Sequence, residues 1–250
     1  MRIKNKTKAM KLLFDLHSHT SASQDGYSTL LENITFARGR GLMAYGISEH
    51  SGGLPVAARQ GAFDNLKVVP REVDGLKIYR GVETNIIDYK GGTDLDRELV
   101  LPRVDYVIAS LHPPCLRPGS VTENTDALIG AMAFPEVAII GHPDDSRYPL
   151  DYEALILAAK ETGKLLELNN SSLLPRCGRQ NGPENVREML LKCAEHGARI
   201  VVNSDSHICF DVGRFDEAEA LLAELDFPSD LIANVDLTRL SWVGLEAIDT

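Results

Sequence analysis

Seven times along this chain a short apolar, β-favouring run gives way to a longer stretch with helical spacing. That alternation limits the fold more than any other feature. The strand-like runs are 12–18, 43–48, 77–82, 104–109, 137–140, 164–168 and 199–202. Helices are expected between them at 29–40, 123–134, 151–162, 183–196 and 215–225, with a less patterned one at 65–73 that Pro70 would open. Thr29-Leu30-Leu31-Glu32 has capping-box spacing, and Gly41, Gly163 and Gly197 are placed to stop helices. Residues 88–103 carry no clear pattern, and the chain finishes with an apolar run at Leu231 and a helical segment near Thr238. Strand-helix alternation implies a parallel sheet whose right-handed crossovers bring every strand C-terminus to one side. The expected fold is α/β, a distorted (β/α)7 barrel with its active site at the strand C-terminal face; an open doubly wound sheet is the alternative.

A length of 250 residues suits one such barrel, and no repeat or low-complexity stretch marks a boundary. Residues 1–250 therefore read as a single domain, with 1–11 (Arg2, Lys4, Lys6, Lys8 and Lys11) as a frayed basic start lacking the apolar core of a signal peptide. The formal net charge of −10 argues against a broad grip on nucleic acid or anionic membrane, and no apolar run is long enough to span a bilayer. Cys115, Cys177, Cys193 and Cys209 show no Cys-x-x-Cys spacing and read as reduced thiols, so a cytoplasmic location is expected.

Six of the seven histidines fall at or just after strand ends: His17, His19, His50, His112, His142 and His207. Asp25, Glu83 and Asp205 occupy equivalent places. In an α/β barrel those positions converge on the active-site face. His17 and His19, two apart on a strand, project to the same side and can present two imidazoles to one ion. Nine N/O donors exceed one tetrahedral ion and suit two or three, and the imidazole-carboxylate mixture favours Zn, Mn or Fe over Ca or Mg. His196, just before a helix-ending glycine, reads instead as a structural cation at a helix C-terminus.

His17-x-His19, Glu49-His50, Glu83, His112, Gly141-His142-Pro143 and Asp205-x-His207, in this order, resemble the PHP (polymerase and histidinol phosphatase) superfamily across nearly the whole chain. Asn169-Asn170-Ser171-Ser172 and Asn203-Ser204-Asp205-Ser206-His207 make it most similar to the YcdX-type phosphatase branch. The resemblance implies a trinuclear metal site. His17, His19, Glu83 and Asp205 would hold one ion; Glu83, His112 and His142 a second; Asp25, His50 and His207 a third. Asp25 stands where that branch tends to have histidine, a harder ligand that makes Mn or Fe more plausible there, with Zn expected elsewhere.

Three divalent ions set against three carboxylates leave a cationic pocket in an acidic protein, suited to a phosphate dianion. The expected activity is therefore hydrolysis of a small-molecule phosphomonoester by a metal-bridging hydroxide, with Glu83 and Asp205 as positioning groups. Arg117, Arg147, Arg176, Arg179 and Arg214, all after strand ends, are candidate phosphate clamps, and Asn170 and Ser171 candidate ligand-orienting groups. Alternatives are a phosphodiesterase or 3′ exonuclease, and a non-catalytic metal-binding regulatory subunit. Relatives make a homo-oligomer conceivable; no membrane partner is expected.

Overall fold

The computed structural model describes residues 10–246, so most of the expected frayed start lies outside the described residues. In chain order the strands are β1 (Phe14–Asp15), β2 (Ala44–His50), β3 (Glu72–Val73), β4 (Leu76–Asn85), β5 (Tyr106–Ser110), β6 (Val137–Ile140), β7 (Leu165–Asn169) and β8 (Ile200–Asn203). Seven of them run parallel in the order β1-β2-β4-β5-β6-β7-β8, forming a distorted (β/α)7 barrel, while β3 pairs antiparallel with β4. The helices α1 (Leu30–Gly39), α2 (Gln60–Asp64), α3 (Val121–Met132), α4 (Tyr152–Thr162), α5 (Gly182–His196) and α6 (Asp216–Glu224) lie between or after the strands. No helix among the described residues is long and apolar enough to cross a membrane.

Local signals account for most of these boundaries. Thr29 and Glu32 form the full reciprocal capping box at the start of α1. Asp151 caps α4, and Gly163 and Gly197 take left-handed conformations at the ends of α4 and α5. The expected helix at 65–73 does not form. A 3₁₀ turn at Leu66–Val68 is followed by β3, because Asp74 and Gly75, both at positive φ, make a two-residue hairpin that folds β3 onto β4. The segment near Thr238 is a 3₁₀ helix, Leu237–Val243.

The β1–β8 seam is sewn by side chains more than by a ladder. Asn234 donates to the carbonyls of Phe14 (2.7 Å) and Val202 (2.8 Å) and accepts from the Val202 N–H. Asn203 accepts from the Leu16 N–H, and a parallel bridge joins Ser18 to Ser206. This explains why β1 is shorter than the expected strand at 12–18: past Asp15 the backbone pairs mainly with side chains.

Alternation along the strands divides the apolar residues into two cores. Leu166, Leu168, Ile200, Val202, Val107 and Ala109 point outward to the helices. Phe14, Leu16, Ile108, Ile139, Leu165 and Val201 fill the barrel, whose base is closed by Leu237, Leu240 and Val243. Tyr106 stands at the centre, donating to the Leu16 carbonyl at 2.5 Å just below His17. A Cβ at Gly46 or Gly81 would collide with its ring, so both positions need to be bare. We expect Gly81→Ala to cost about 1–3 kcal/mol by overpacking, seen as a lowered Tm. Gly39→Ala, with open space around it, should be neutral or slightly stabilising. Equal melting temperatures for the two variants would contradict this packing.

Candidate metal centre

Inward alternation carries polar side chains up the barrel wall above the apolar plug. His50 on β2 is in register with Glu83 on β4, and Asn169 on β7 with Asn203 on β8. His17 and His19 follow β1, His112 follows β5, His142 follows β6, and Asp205 and His207 follow β8. The structure brings all nine candidate ligand residues together in one mostly buried cluster, with Glu83 fully buried at its centre.

Measured against the three expected ligand sets, the donor atoms also connect across them, with His50 Nδ1 2.8 Å from Glu83 Oε2. Nε2 of His17 lies 3.3 Å from Glu83 Oε2 and 3.5 Å from Asp205 Oδ1, while Nε2 of His19 lies 3.5 and 3.4 Å from the same two oxygens. Ligands on one tetrahedral ion with bonds near 2.0–2.1 Å sit about 3.3–3.4 Å apart, so these four imidazole-to-carboxylate separations match edges of such a tetrahedron. Glu83 Oε1 is 2.9 Å from His142 Nε2 and 3.5 Å from His112 Nε2. Asp25 Oδ2 is 3.5 Å from His50 Nε2 and 3.4 Å from His207 Nε2. This last set is the most open, with Asp25 and His207 side chains about a third exposed against 6% for His50.

Several of these atoms are buried without a hydrogen-bond partner: His17 Nε2, both His19 nitrogens, Glu83 Oε2 and Asp25 Oδ1. Orphaned polar atoms are costly in a protein interior, and here His17 Nε2 and His19 Nε2 both lie 3.3–3.5 Å from Glu83 Oε2. Protonation tells the same story. Burial disfavours charge on His17, yet Glu167, Glu83 and Asp205 raise its pKa well above the ordinary value. Burial opposes the ionised form of Glu83 too, but His17, His50 and His112 hold it well below the usual carboxylate range. His50 is likewise raised to about 10, against burial, by Glu83 and Asp25. His19, buried and beside His50, is lowered to about 3, and burial lowers His112 to about 3. Protons on some rings thus balance the carboxylates where divalent cations would do so better. The residues fit bound metal.

A third tier of contacts aims the rings. Glu167, fully buried, places Oε1 2.7 Å from His17 Nδ1, which leaves His17 Nε2 facing the cluster. The same carboxylate accepts from Asn203 Nδ2 (2.7 Å), Asn169 Nδ2 (3.0 Å) and the His142 backbone N–H (2.8 Å). His142 is held at φ 28 and Asp205 at φ 50, left-handed conformations that a non-glycine residue keeps only when its surroundings enforce it. Asn85 Oδ1 fixes His112 Nδ1 at 2.7 Å. Glu49, facing outward, accepts from the backbone and hydroxyls of Thr20 and Ser23 and anchors the turn leading to Asp25. Asp15 accepts from Ser204 and Gly213, tying down the loop that carries Asp205 and His207.

The candidate arginines divide. Arg147, Arg176 and Arg179 line a cavity of about 410 Å³ that opens onto His112, Asp205 and His207. Arg179 is the deepest, donating to Asp205 Oδ2 at 2.7 Å and to Ser172 Oγ at 3.0 Å. Arg117 is exposed, and Arg214 pairs with Asp216 and Asp211; neither lines this cavity. Asn169, not the expected Asn170, bonds to the ligand shell: it donates to Asp205 Oδ2 at 3.1 Å, whereas Asn170 accepts from the Ala218 N–H of α6. Ser171 lines the cavity. His196 lies apart from the cluster, 2.8 Å from Glu153.

Sequence reasoning missed Glu167, although a carboxylate at an inward position of a buried strand is itself a signal. We expect Glu167→Gln, which sets an amide N–H₂ among donors, to weaken metal retention about 10–100-fold while the chain stays folded. Competition with a graded chelator, followed by metal analysis and circular dichroism, reads both. Unaltered retention would remove Glu167 from this role.

Comparison with known proteins agrees with the geometry. No family model matches the chain. A probable phosphatase of Clostridium novyi is 42% identical over 231 residues, covering 92% of this chain and 93% of the relative. A probable phosphatase of Caldanaerobacter subterraneus subsp. tengcongensis is 43% identical over 233 residues, covering 92% and 90%. Among solved structures, histidinol phosphate phosphatase from Lactococcus lactis, complexed with zinc, L-histidinol and phosphate, shares the fold. Its TM-score is 0.60 at 18% identity, over 86% of this chain and 94% of that one. The chain belongs to the PHP superfamily, as one of its phosphatases.

Proposed function

We propose that the chain is a metal-dependent phosphomonoesterase of the YcdX-type branch, acting as one domain on a small phosphate ester. The observation that carries this reading is the four distances, 3.3–3.5 Å, from His17 Nε2 and His19 Nε2 to Glu83 Oε2 and Asp205 Oδ1. In this reading His17, His19, Glu83 and Asp205 hold one ion. Glu83, His112 and His142 hold a second, and Asp25, His50 and His207 a third. Zinc suits the imidazole-rich sets, and manganese or iron suits the more open set containing Asp25.

Divalent ions in these positions supply an activated water and positive charge for in-line displacement at phosphorus. The chain's own residues do the rest. Glu83 spans two of the sets with its two oxygens, Oε1 accepting from Ser110 Oγ at 2.6 Å so that its plane is fixed. Asp205 is aimed by Asn169 and Arg179. Arg179, its guanidinium held against Asp205 and Ser172, offers its remaining N–H groups to a phosphoryl oxygen at the cavity floor.

Purified protein should hydrolyse p-nitrophenyl phosphate, lose that activity to a chelator and regain it with Zn²⁺ or Mn²⁺. His17→Ala should lower the rate at least about 100-fold. A metal-replete protein inert toward a broad panel of phosphomonoesters would contradict the proposal. Turnover confined to nucleotide diesters would point to a phosphodiesterase instead.

A further inference from the structure

The cavity beside the ligand cluster has walls of an unusual kind. Its metal-facing end is formed by His112, Asp205 and His207, and three guanidiniums, Arg179, Arg147 and Arg176, line the remainder beside Asp211 and a few small residues. No apolar side chain larger than a cysteine lines it. The three arginines differ in depth: their side chains are 16%, 37% and 60% exposed. Arg179 therefore sits beside the cluster, and Arg147 and Arg176 stand progressively nearer solvent.

Each outer arginine is braced by one carboxylate without being used up by it. Arg147 Nε and Nη2 donate to Asp145 Oδ2, and Arg176 Nη2 donates to Asp211. A guanidinium has five N–H donors. Arg147 Nη1, and Arg176 Nε and Nη1, have no hydrogen-bond partner among the described residues. Asp145 is itself held by the N–H groups of Arg147 and Gln180, so the brace is rigid. A held guanidinium with free donors at a cavity wall is built for an anion. A phosphoryl group at the cluster and Arg179 leaves both outer arginines unspent.

We infer that the substrate carries a second anionic group, a carboxylate or a further phosphate, on the alcohol side of the scissile ester, and that Arg147 and Arg176 bind it. This rests on the phosphomonoesterase reading above. The lining gives an aliphatic leaving group nothing apolar larger than a cysteine to pack against. A cationic tail would meet guanidinium groups, so an amine-bearing alcohol such as the L-histidinol bound by the Lactococcus enzyme is disfavoured here.

Three aliphatic phosphomonoesters of similar size test it: glycerol 3-phosphate with a neutral tail, 3-phosphoglycerate with a carboxylate, and phosphoethanolamine with an ammonium. The metal-loaded enzyme should favour 3-phosphoglycerate over glycerol 3-phosphate by about tenfold or more in kcat/KM, and phosphoethanolamine should be the poorest. Arg147→Gln with Arg176→Gln should shrink that preference about tenfold, through KM for 3-phosphoglycerate more than through kcat. Arg147→Lys with Arg176→Lys should keep part of it. Hydrolysis of all three esters with no preference for the carboxylate, or equal losses on both in the glutamine variant, would overturn the inference and leave the phosphomonoesterase reading standing. Inertness toward all three, together with p-nitrophenyl phosphate, would overturn both.

Discussion

Glu83 is an ionised carboxylate with no exposed surface, in register between His50 of β2 and Ile108 of β5. Its hydrogen bonds are too few for its charge: Ser110 donates one to Oε1, His142 reaches the same oxygen, and Oε2 has none, although His50 Nδ1 lies 2.8 Å from it. Burying such a group costs several kcal/mol, by order of magnitude, unless positive charge lies against it. The surrounding imidazoles supply part of that charge only by taking up protons. Divalent cations supply it while leaving the rings neutral, and neutral imidazole is the ligand form. The upper half of the barrel is arranged around this requirement.

Three layers can be traced outward from that carboxylate. Nε2 of His17 and of His19 each lie 3.3–3.5 Å from Glu83 Oε2 and Asp205 Oδ1. Behind them, Glu167, Asn85, Asn169 and Asn203 fix ring orientation and hold His142 in its left-handed backbone. Farther out, Asp15 and Glu49 pin the two loops that deliver Asp205, His207 and Asp25. Below, Tyr106 links the base of the site to the apolar plug through the Leu16 carbonyl. Rigidity is thereby passed from the core to the ligands, and the set containing Asp25 and His207 meets solvent most.

The sequence was most readable where one residue does one local job. Strand-end histidines were visible because period-two alternation and a barrel's single active face leave them few other roles. Helix ends at Thr29, Asp151, Gly163 and Gly197 were set by local capping chemistry and came out where expected. Long-range and inward-facing roles were harder to see. Glu167 sits inside the apolar run of β7, where burial hides a charge explained by distant partners, His17, His142 and Asn203. Asn234 replaces a missing ladder between β1 and β8 from a segment without periodicity. The Asp74-Gly75 hairpin was a local signal, overlooked because Pro70 suggested a helix start. Asn169 and Asn170 are adjacent, and only the strand's phase tells which one faces the ligands.

The central claim is that nine side chains hold three ions, with the Asp25 set the most exchangeable. Metal analysis of the purified chain tests it most directly, with wild type compared against Asp25→Ala after equilibration with limiting chelator. The account predicts about three divalent ions per wild-type chain and about two in the variant, with His17, His19 and Glu83 still occupied in anomalous scattering maps. A single ion per chain, or a stoichiometry that Asp25→Ala leaves unaltered at three, would contradict it.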